Sequence, residues 1–465
     1  MNLLLPRSVC DLLNRVHDIA AEGPPDCGLT HAALGRVWRD LGLRPGDPVL
    51  LALPNGIRLI EQFFGILEAG GVPALVAAHT PPARVRQLIQ ALGARALVAT
   101  HVPKGLPGLE RHAVFGRAQA GLLAIRGEPT AQPGEVMLLT SGTSGAASGC
   151  VFSLDALLLN ASRHAEAIGQ RADDVELVSL PMHFSFALVA QVLGTLVRGG
   201  QLVISGPPFH PQAYLQTIQD HGVTVSSLTP MLARSLLQVR VPIPRCLRVL
   251  TVGGDALPAA QVEQLLARRP GGELYVTYGL TQAGPRVSTL AAHREPAHRY
   301  ASVGLPLPGT RVWLEDVGDG SGRTELLVAS ETVMRRRTGL VEGRPGNDWR
   351  TPGVLATGDV FERDRDGYLY FRGRLADFIV RRGEKICLAT VRRVAAELPG
   401  VLRAATGVVH GTDGSDDFDL SVVTAAGHAL TEQEYHAGLA RLLCRSEWPR
   451  SIQIVREKGG CPDYK

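Results

Sequence analysis

The chain contains 465 residues, of which 45% are hydrophobic and 20% are charged. This composition is typical of a globular protein with two or three domains, at roughly 150 residues per domain. Lys and Arg together number 48 and Asp and Glu 44, so the formal net charge is only +4. Nucleic-acid binding usually needs a concentrated basic excess, and we therefore expect no nucleic-acid partner.

The sequence shows no signal for membrane insertion or secretion. The longest nearly apolar run, residues 184–197, is interrupted by polar side chains and is shorter than the ~20 residues of a membrane helix. It predicts a buried helix and no membrane span. The N-terminus lacks a basic region and a small-residue cleavage site. The 7 cysteines include no CxxC pair, so neither a zinc ribbon nor a disulfide framework is indicated and a reducing cytoplasm is expected.

Short aliphatic runs alternate with helix-length stretches over the first half of the chain. The predicted strands are residues 49–53, Ala96–Ala99, 136–139, 202–204, 223–225 and 247–252. The predicted helices between them are Ile57–Glu68, Pro82–Leu92, Pro211–Asp220 and 231–239. Such alternation is typical of an α/β fold with a largely parallel sheet.

The pattern changes near Arg311, where closely spaced strands are predicted at residues 311–314, 325–328 and 368–371. These strands indicate a β-rich subdomain that closes the large domain. Beyond Gly373, helices are predicted at 390–397 and 432–443, with strands at 404–409 and 418–423 between them. We therefore expect a large α/β domain at residues 1–373 and a small α+β domain at residues 374–465.

The densest chemical signal is a loop rich in hydroxyl groups and glycine that follows the predicted strand 136–139. Its residues are Thr140, Ser141, Gly142, Thr143, Ser144, Gly145, Ala146, Ala147, Ser148 and Gly149. Taken alone, such a stretch favours a flexible linker. Because it lies between an apolar strand and a helix expected to be capped by Ser153, phosphate binding through backbone N–H groups is favoured instead. It is not a Walker loop, since no GxxxxGK occurs.

Two further segments carry polar residues where predicted strands end. The strand that begins at Leu274 runs into Tyr278, Gly279 and Thr281, where the tyrosine could stack on a base and the threonine could donate to a phosphate. Ligands of open α/β sheets bind at such carboxyl ends, although an ordinary exit from a strand would look the same. Thr357-Gly358-Asp359 and Gly373-Arg374 follow later, and an isolated aspartate of this kind usually caps a turn.

Together, in this order and spacing, these segments resemble the core motifs of the adenylate-forming superfamily, which includes acyl-CoA and aryl-CoA synthetases, peptide-synthetase adenylation domains and luciferases. The resemblance extends from about Leu29 to Lys465. It implies a phosphate loop at residues 140–145, an adenine and α-phosphate motif at residues 278–281, a ribose-binding Asp359 and a domain junction at Arg374. The small C-terminal domain would be a mobile lid.

The resemblance also assigns less distinctive segments. Gly253 and Gly254 look like part of the acid-binding pocket, and Asp255 and Ala256 like residues that border the adenine. In the segment Leu180-Pro181-Met182-His183-Phe184-Ser185-Phe186, His183 would lie beside the substrate carboxylate and Phe184 in its pocket, although a buried histidine in an apolar stretch is the ordinary alternative.

The family also carries a lysine near its C-terminus that reaches the carboxylate and the α-phosphate. Lys465 occupies the corresponding position, and Lys458 is the alternative. A solvated tail is the ordinary explanation for both lysines.

Three positions depart from the family pattern. Ser148 replaces the lysine that commonly ends the phosphate loop, Gln282 replaces a glutamate that binds magnesium, and Ala376 replaces a charged hinge residue. A neutral amide is a weaker ligand for a hard cation than a carboxylate. These departures leave open a slow enzyme, an altered magnesium site, or a protein that binds nucleotide without turning it over.

The implied reaction uses ATP and magnesium in two steps. A carboxylate attacks the α-phosphorus of ATP to give an acyl-adenylate and pyrophosphate, and a thiol of coenzyme A or of a carrier protein acting in trans then takes the acyl group. Because Ser185-Phe186-Ala187 offers no aspartate for an α-amine, a plain fatty or aromatic acid is favoured over an amino acid. Transfer to an amine remains an alternative. The run Arg335-Arg336-Arg337 is either a carrier contact or a solvated face.

Overall fold

The computed structural model describes most of the chain. The described residues are 6–20, 30–101, 109–115, 118–123, 130–139, 148–318, 320, 322–339, 349–381, 384–410, 416–424, 431–440, 443 and 445–456. Three of the segments singled out above therefore lie outside them: the phosphate loop at residues 140–147 and the two lysines at 458 and 465.

The strands and helices follow one another along the whole described chain. The strands are β1 Val16–Asp18, β2 Pro48–Ala52, β3 Val72–Leu75, β4 Ala96–Ala99, β5 Leu109–Phe115, β6 Ala118–Leu123, β7 Glu135–Leu139, β8 Ser148–Ser153, β9 Val175–Val178, β10 Gln201–Ile204, β11 Val225–Leu228, β12 Val249–Gly253, β13 Glu273–Tyr278, β14 Ser288–Ala291, β15 Leu305–Pro306, β16 Arg311–Asp316, β17 Thr324–Ala329, β18 Arg336–Gly339, β19 Trp349–Thr351, β20 Val354–Arg363, β21 Leu369–Arg374, β22 Phe378–Arg381, β23 Glu384–Cys387, β24 Val401–His410, β25 Asp416–Thr424 and β26 Ile452–Arg456. The α-helices are α1 Pro6–Leu13, α2 His31–Leu41, α3 Ile57–Glu68, α4 Pro82–Leu92, α5 Leu154–Ala167, α6 Gly194–Arg198, α7 Pro211–Asp220, α8 Pro230–Gln238, α9 Ala259–Arg268, α10 Leu388–Glu397 and α11 Glu432–Ala440.

Two eight-stranded sheets form the large body of the molecule. Their strand orders are β18-β8-β7-β3-β2-β4-β6-β5 and β1-β10-β9-β11-β12-β13-β14-β15. The central strands pair in parallel, as β2 does with β3 and β4, and the edge strand β1 also pairs in parallel with β10, whereas the other three edges are antiparallel, as where β13 meets β14. Parallel strands need both faces covered, and the largest hydrophobic core spans residues of both sheets and of the helices packed on them.

The apolar run at residues 184–197 is a buried helix, as predicted. A π-helix at Phe186–Leu193 continues into α6, and seven of its residues are buried, from Ala187 to Leu193. Within the described residues, the chain has no helix that is both long enough and apolar enough to cross a membrane.

The loop at residues 140–147 connects β7 to β8, which pair antiparallel. β8 leads into α5, the helix that the sequence predicts after this loop. The predicted cap is confirmed, since Ser153 Oγ accepts a hydrogen bond of 3.3 Å from the Ala156 amide at the start of α5. Cys150, Val151 and Phe152 of β8 are fully buried, so this segment contributes to the core before the helix begins.

A smaller antiparallel sheet follows, with the order β16-β17-β20-β19 and β21 paired to β20. It corresponds to the predicted β-rich subdomain, although β18 leaves it to pair with β8 of the large body. The C-terminal residues form the hairpin β22–β23 and the sheet β24-β25-β26. They have a hydrophobic core of their own that extends from Ile379 to Ile452. The α/β fold class with a strand-rich region and a C-terminal α+β region is therefore confirmed.

Candidate active site

Two of the motifs, which are distant in sequence, meet at one buried carboxylate. Tyr278 ends β13 and donates a 2.6 Å hydrogen bond from its hydroxyl to Asp359 Oδ2, although 81 residues separate them. Arg374, the register partner of Asp359 across β20 and β21, places Nε 3.4 Å from Oδ1 of the same carboxylate. The structure thus brings three of the predicted site residues together.

Burial sets the charge of this carboxylate. Asp359 is only 4% exposed, and burial raises its pKa to about 6, against the opposing effects of Arg374 and of the Tyr278 hydrogen bond. Burial and the neighbouring Asp359 raise the pKa of Tyr278 well above its ordinary value. At neutral pH Asp359 is therefore a charged hydrogen-bond acceptor, and its surroundings only partly compensate its negative charge. Such a carboxylate suits a site that binds neutral hydroxyl donors.

Thr281 links this cluster to the aromatic segment. It lies in a 3-10 turn at Thr281–Ala283, and its Oγ1 lies 3.2 Å from Ser185 Oγ. The turn is tightly packed, because a methyl group on Gly279 would overlap the carbonyl oxygen of Pro285. Only glycine fits there. The threonine hydroxyl is therefore held next to the segment expected to contact the acid.

The aromatic segment is fixed in turn by Asn55. The Asn55 side chain accepts a 2.8 Å hydrogen bond from the Met182 amide and donates one of 2.8 Å to the Leu180 carbonyl. His183 and Phe184 follow, with ring centroids 4.2 Å apart, and both are half-buried. Their predicted roles beside the substrate stay predictions.

The residues after β12 form a turn at the carboxyl end of the strand. Gly253 is the register partner of Thr277, and a methyl group on it would overlap the Thr277 side chain. Gly254, with a φ of +95°, and Asp255 and Ala256 are exposed. Asp255 Oδ1 accepts a 2.8 Å hydrogen bond from the Ala256 amide. This turn lies where an open α/β sheet binds ligands.

One residue that the sequence analysis missed belongs to the same region. Arg286 follows the Thr281 turn, is 3% exposed, and places its guanidinium carbon 3.6 Å from the centroid of the Phe186 ring. A methyl group on Gly253 would lie 3.3 Å from Arg286 Nη1. The only local signal was an arginine in an otherwise apolar stretch, which is ordinarily a surface residue.

The predicted metal and hinge positions are only partly described. Gln282 is half-buried and its backbone carbonyl accepts a 2.8 Å hydrogen bond from the Met334 amide. No cluster of three or more His, Cys, Asp or Glu residues suited to a metal ion occurs in the part of the chain that the structure describes. Ala376 lies in the turn Leu375–Asp377, directly before β22, and its side chain and that of Ser148 fall outside the described residues.

One arginine of the basic run at residues 335–337 binds a buried carboxylate, whereas Arg335 is exposed, and the carrier contact stays a prediction. Arg336 donates two hydrogen bonds of 2.7 Å to the two carboxylate oxygens of Glu135, which is buried, and Arg335 Nη1 lies 3.6 Å from Glu135 Oε1. The Arg336 and Glu135 pair joins β18 to β7, the strand that precedes the phosphate loop. A bidentate pair with a buried carboxylate is a structural contact.

Comparison with known proteins agrees with this arrangement. A family model described as "AMP-binding enzyme" matches residues 30–336. This is more than half of the chain, and the chain therefore belongs to the AMP-binding family of adenylate-forming enzymes. The resemblance that the motifs suggested is confirmed.

Its named relatives activate acids. The chain is 28% identical over 468 residues to a "Salicylyl-CoA synthase / salicylate adenylyltransferase" of Streptomyces sp, which covers 90% of this chain and 82% of the relative. It is 28% identical over 430 residues to a "Salicyl-AMP ligase / salicyl-S-ArCP synthetase" of Mycobacterium tuberculosis, covering 83% and 74% of the two chains.

A solved structure shares the fold. ATP-bound MatB from Rhodopseudomonas palustris superposes with a TM-score of 0.77, over 98% of this chain and 95% of that chain, at 20% identity. At this level of identity the likeness shows a common fold, which includes the strand-rich and C-terminal regions described above.

Proposed function

We propose that this protein is an AMP-forming carboxylate ligase. It activates a carboxylic acid with ATP to an acyl-adenylate, releases pyrophosphate, and transfers the acyl group to the thiol of coenzyme A or of a carrier protein. The observation that carries the proposal is the buried Asp359, which Tyr278 and Arg374 hold beside the turn of Thr281. Membership of the AMP-binding family and the named acid-activating relatives support it.

The roles of the residues follow from the charges involved. The attacking carboxylate and the α-phosphate are both anionic, so the site must supply donors and positive charge. Thr281 donates to the phosphate, as do the backbone N–H groups of residues 140–145. Lys465 supplies the cation that approaches both anions. Asp359 accepts hydrogen bonds from the ribose hydroxyls, and Arg374 steadies the carboxylate that does so.

Magnesium fits this site only as a companion of the nucleotide. Mg²⁺ is usually held by one or two protein oxygens together with substrate phosphates and water, and Gln282 offers one amide oxygen. The described residues contain no cluster of carboxylates that would hold the ion alone. When bound, Mg²⁺ neutralises phosphate charge, and residue 282 contributes little to its affinity.

The C-terminal region acts in this proposal as the lid, with residues 1–373 as the large domain and 374–465 as the small one. Its separate hydrophobic core supports independent movement. The junction is also polar, since the Arg374 amide donates to Asp377 Oδ2 over 3.1 Å and Asp377 Oδ1 lies 2.8 Å from Arg392 Nη2. Ala376 lies between these contacts. Such short polar turns serve as hinges.

We expect the protein to work in a reducing compartment such as the cytoplasm. Cys10, Cys150 and Cys246 are free of disulfides in the described part of the chain.

The test is carboxylate-dependent exchange of labelled pyrophosphate into ATP, over a panel of fatty acids, benzoates, cinnamates and amino acids with magnesium present. Exchange with one class of acid would support the proposal and identify the substrate family. ATP binding without exchange for any acid would overturn it, and would favour a nucleotide-binding relative, as the Ser148 and Gln282 departures suggest.

Lys465→Ala separates the two half-reactions. We expect this variant to lose adenylate formation but to retain transfer of the acyl group from a supplied acyl-adenylate to the thiol. Equal loss of both steps would contradict the role assigned to the lysine. The phosphate contact of Thr281 is tested separately by Thr281→Val, and Thr281→Ser, which keeps the hydroxyl, is the matched control for that variant.

A further inference from the structure

Arg286 is a buried cation whose charge has no partner in the described structure. Its Nε and Nη2 atoms are both buried and donate to no hydrogen-bond acceptor among the described residues. No described carboxylate forms an ion pair with it either, and the ring of Phe186 is its closest favourable contact. A cation–π contact attracts the charge but offers no oxygen acceptor to the N–H groups.

Such an arrangement is costly, because a buried charge normally requires an opposite charge or several acceptors. Burial lowers the pKa of Arg286 to about 9. The guanidinium is therefore still protonated at neutral pH, and its cost of burial is not avoided by losing the proton. An anion that entered the site would remove much of this cost.

The fold satisfies a comparable arginine elsewhere. Arg269 is 7% exposed and donates to the backbone carbonyls of Leu247, Arg248 and Glu273. Its charge is thus spread over several acceptors of the protein itself. Arg286 has no such set in the described part, which suggests that its acceptor arrives with a ligand.

The guanidinium lies beside the residues assigned to the acid pocket. Its Nη1 lies 3.3 Å from the position that a methyl group on Gly253 would take, next to Thr277 Oγ1, and Phe186 lies 3.8 Å from the position of a methyl group on Gly254. Ser185, which precedes Phe186 in the chain, contacts Thr281, the residue proposed to donate a hydrogen bond to the phosphate. One short segment therefore connects the reaction centre to the buried cation.

We propose that Arg286 binds a second anionic group of the substrate, so that the protein activates dicarboxylic acids, with one carboxylate reacting at Thr281 and the other paired with Arg286. This inference rests on the proposed function, and names its substrate class. It also accounts for the lack of an aspartate after the aromatic segment, because an α-ammonium group would be repelled by the same cation.

The test compares each dicarboxylate with its own monomethyl ester, which differs in charge but little in shape. The pairs are glutarate, phthalate, isophthalate and terephthalate with their monoesters, measured by pyrophosphate exchange. We expect kcat/KM for at least one dicarboxylate to exceed that of its ester by about tenfold or more. Arg286→Met should bring that ratio close to one, and Arg286→Lys should retain part of it.

Arg269→Met is the matched control, because it removes a buried arginine away from the site. It should lower stability while leaving the ratio unchanged. If Arg286→Met fails to fold, the wild-type ratio and the Arg286→Lys variant still decide the question. An equal preference for the esters, or a ratio that Arg286→Met leaves unchanged, would overturn the inference. Equal weakening of both members of each pair would also overturn it, since Arg286 would then hold the reacting carboxylate.

Failure of the proposed function gives a different result. In that case no acid supports exchange, and calorimetric binding of the same pairs in the presence of AMP tests Arg286 directly. Tighter binding of a dicarboxylate, lost in Arg286→Met, would support the anion site without turnover. Equal binding of acid and ester would overturn the site as well.

Discussion

The two buried charges of the candidate site differ in how they are compensated. Asp359 is held by Tyr278 and Arg374, whereas Arg286 has only the face of Phe186 in the described structure. Burial favours the neutral form of both groups, because it raises the pKa of Asp359 and lowers the pKa of Arg286. A charge with partial compensation suits neutral ligands such as hydroxyl groups. A charge without compensation suits a ligand of opposite charge.

The two buried charges also reduce the stability of the folded protein. Buried charges lower the free energy of unfolding, and they persist where a ligand changes the balance. Asp359 contacts Tyr278, the last residue of β13, and Arg286 follows the Thr281 turn that comes after the same strand. Four experiments test this difference between the two charges.

The largest effect is expected at the residue that joins the two regions. Thr281→Val removes the hydroxyl but keeps the shape of the side chain, so we expect pyrophosphate exchange to fall by about 10²-fold or more, as for the loss of one donor to a developing charge. The Tm should change little, because Thr281 is half-buried and its side-chain contact is with Ser185. An exchange rate within a few-fold of wild type would show that Thr281 is not the phosphate donor.

Asp359→Asn tests the compensated charge. The folded pKa of about 6 lies above the ordinary value of 3.8, so ionisation of Asp359 reduces the free energy of unfolding as the pH rises from about 4 to about 6. The asparagine avoids this cost, and we expect it to raise the free energy of unfolding at pH 7 by up to ~3 kcal/mol. The Kd for ATP should rise by about tenfold, because one acceptor for the ribose becomes weaker.

The control for this variant is Asp366→Asn, an exposed aspartate paired with Arg299. It should alter neither stability nor ATP binding appreciably, because exposed ion pairs contribute little. Denaturant unfolding and calorimetry measure the two quantities. A marked loss of stability in Asp359→Asn would contradict the view that this charge is costly.

The uncompensated charge predicts a pH dependence. Because the pKa of Arg286 is about 9, the preference for a dicarboxylate over its monoester should be constant between pH 7 and 8. It should fall by about tenfold by pH 10, as the guanidinium loses its proton. His164, the titratable neighbour whose pKa both burial and Arg286 lower, is neutral throughout this range. A ratio that stays constant to pH 10 would contradict the charge assignment.

The smallest effect is expected at Gln282. Gln282→Glu restores a carboxylate where the family usually has one, and we expect the magnesium concentration for half-maximal exchange to fall several-fold. Gln282→Met, which removes the oxygen, is the comparison variant. An unchanged magnesium requirement in both variants would show that the ion is held by the nucleotide alone.

Local sequence predicted many of the helices and strands well. Helices Ile57–Glu68, Pro82–Leu92 and Pro211–Asp220 have the predicted bounds, because their apolar spacing and their proline or glycine ends act within a few residues. The strand expected at residues 223–225 instead spans Val225–Leu228. The apolar pattern did not predict its second half, because Ser226 and Ser227 are polar. Both are nevertheless buried, since Ser226 donates to the Leu177 carbonyl and Ser227 accepts from Thr251.

In the candidate site, too, some residues were predicted from the sequence and others were not. Tyr278, Thr281, Asp359 and Arg374 were predicted from short motifs whose order and spacing resemble those of the adenylate-forming superfamily, and three of these residues meet in the structure. The sequence did not indicate that Arg286 is buried against Phe186, which lies far earlier in the chain. That contact depends on how β14 returns beside β13.

By itself, the sequence determined the fold class, the family and the kind of reaction, because these rest on short motifs and on the alternation of apolar segments. The tertiary structure alone decided which charges are compensated. Asp359 meets Tyr278 across 81 residues, and Arg336 meets Glu135 across 201. Arg286 meets an aromatic ring but, within the described chain, no carboxylate. Coulombic and desolvation energies depend on distance and burial in space, and neither quantity is set by neighbouring residues in the chain.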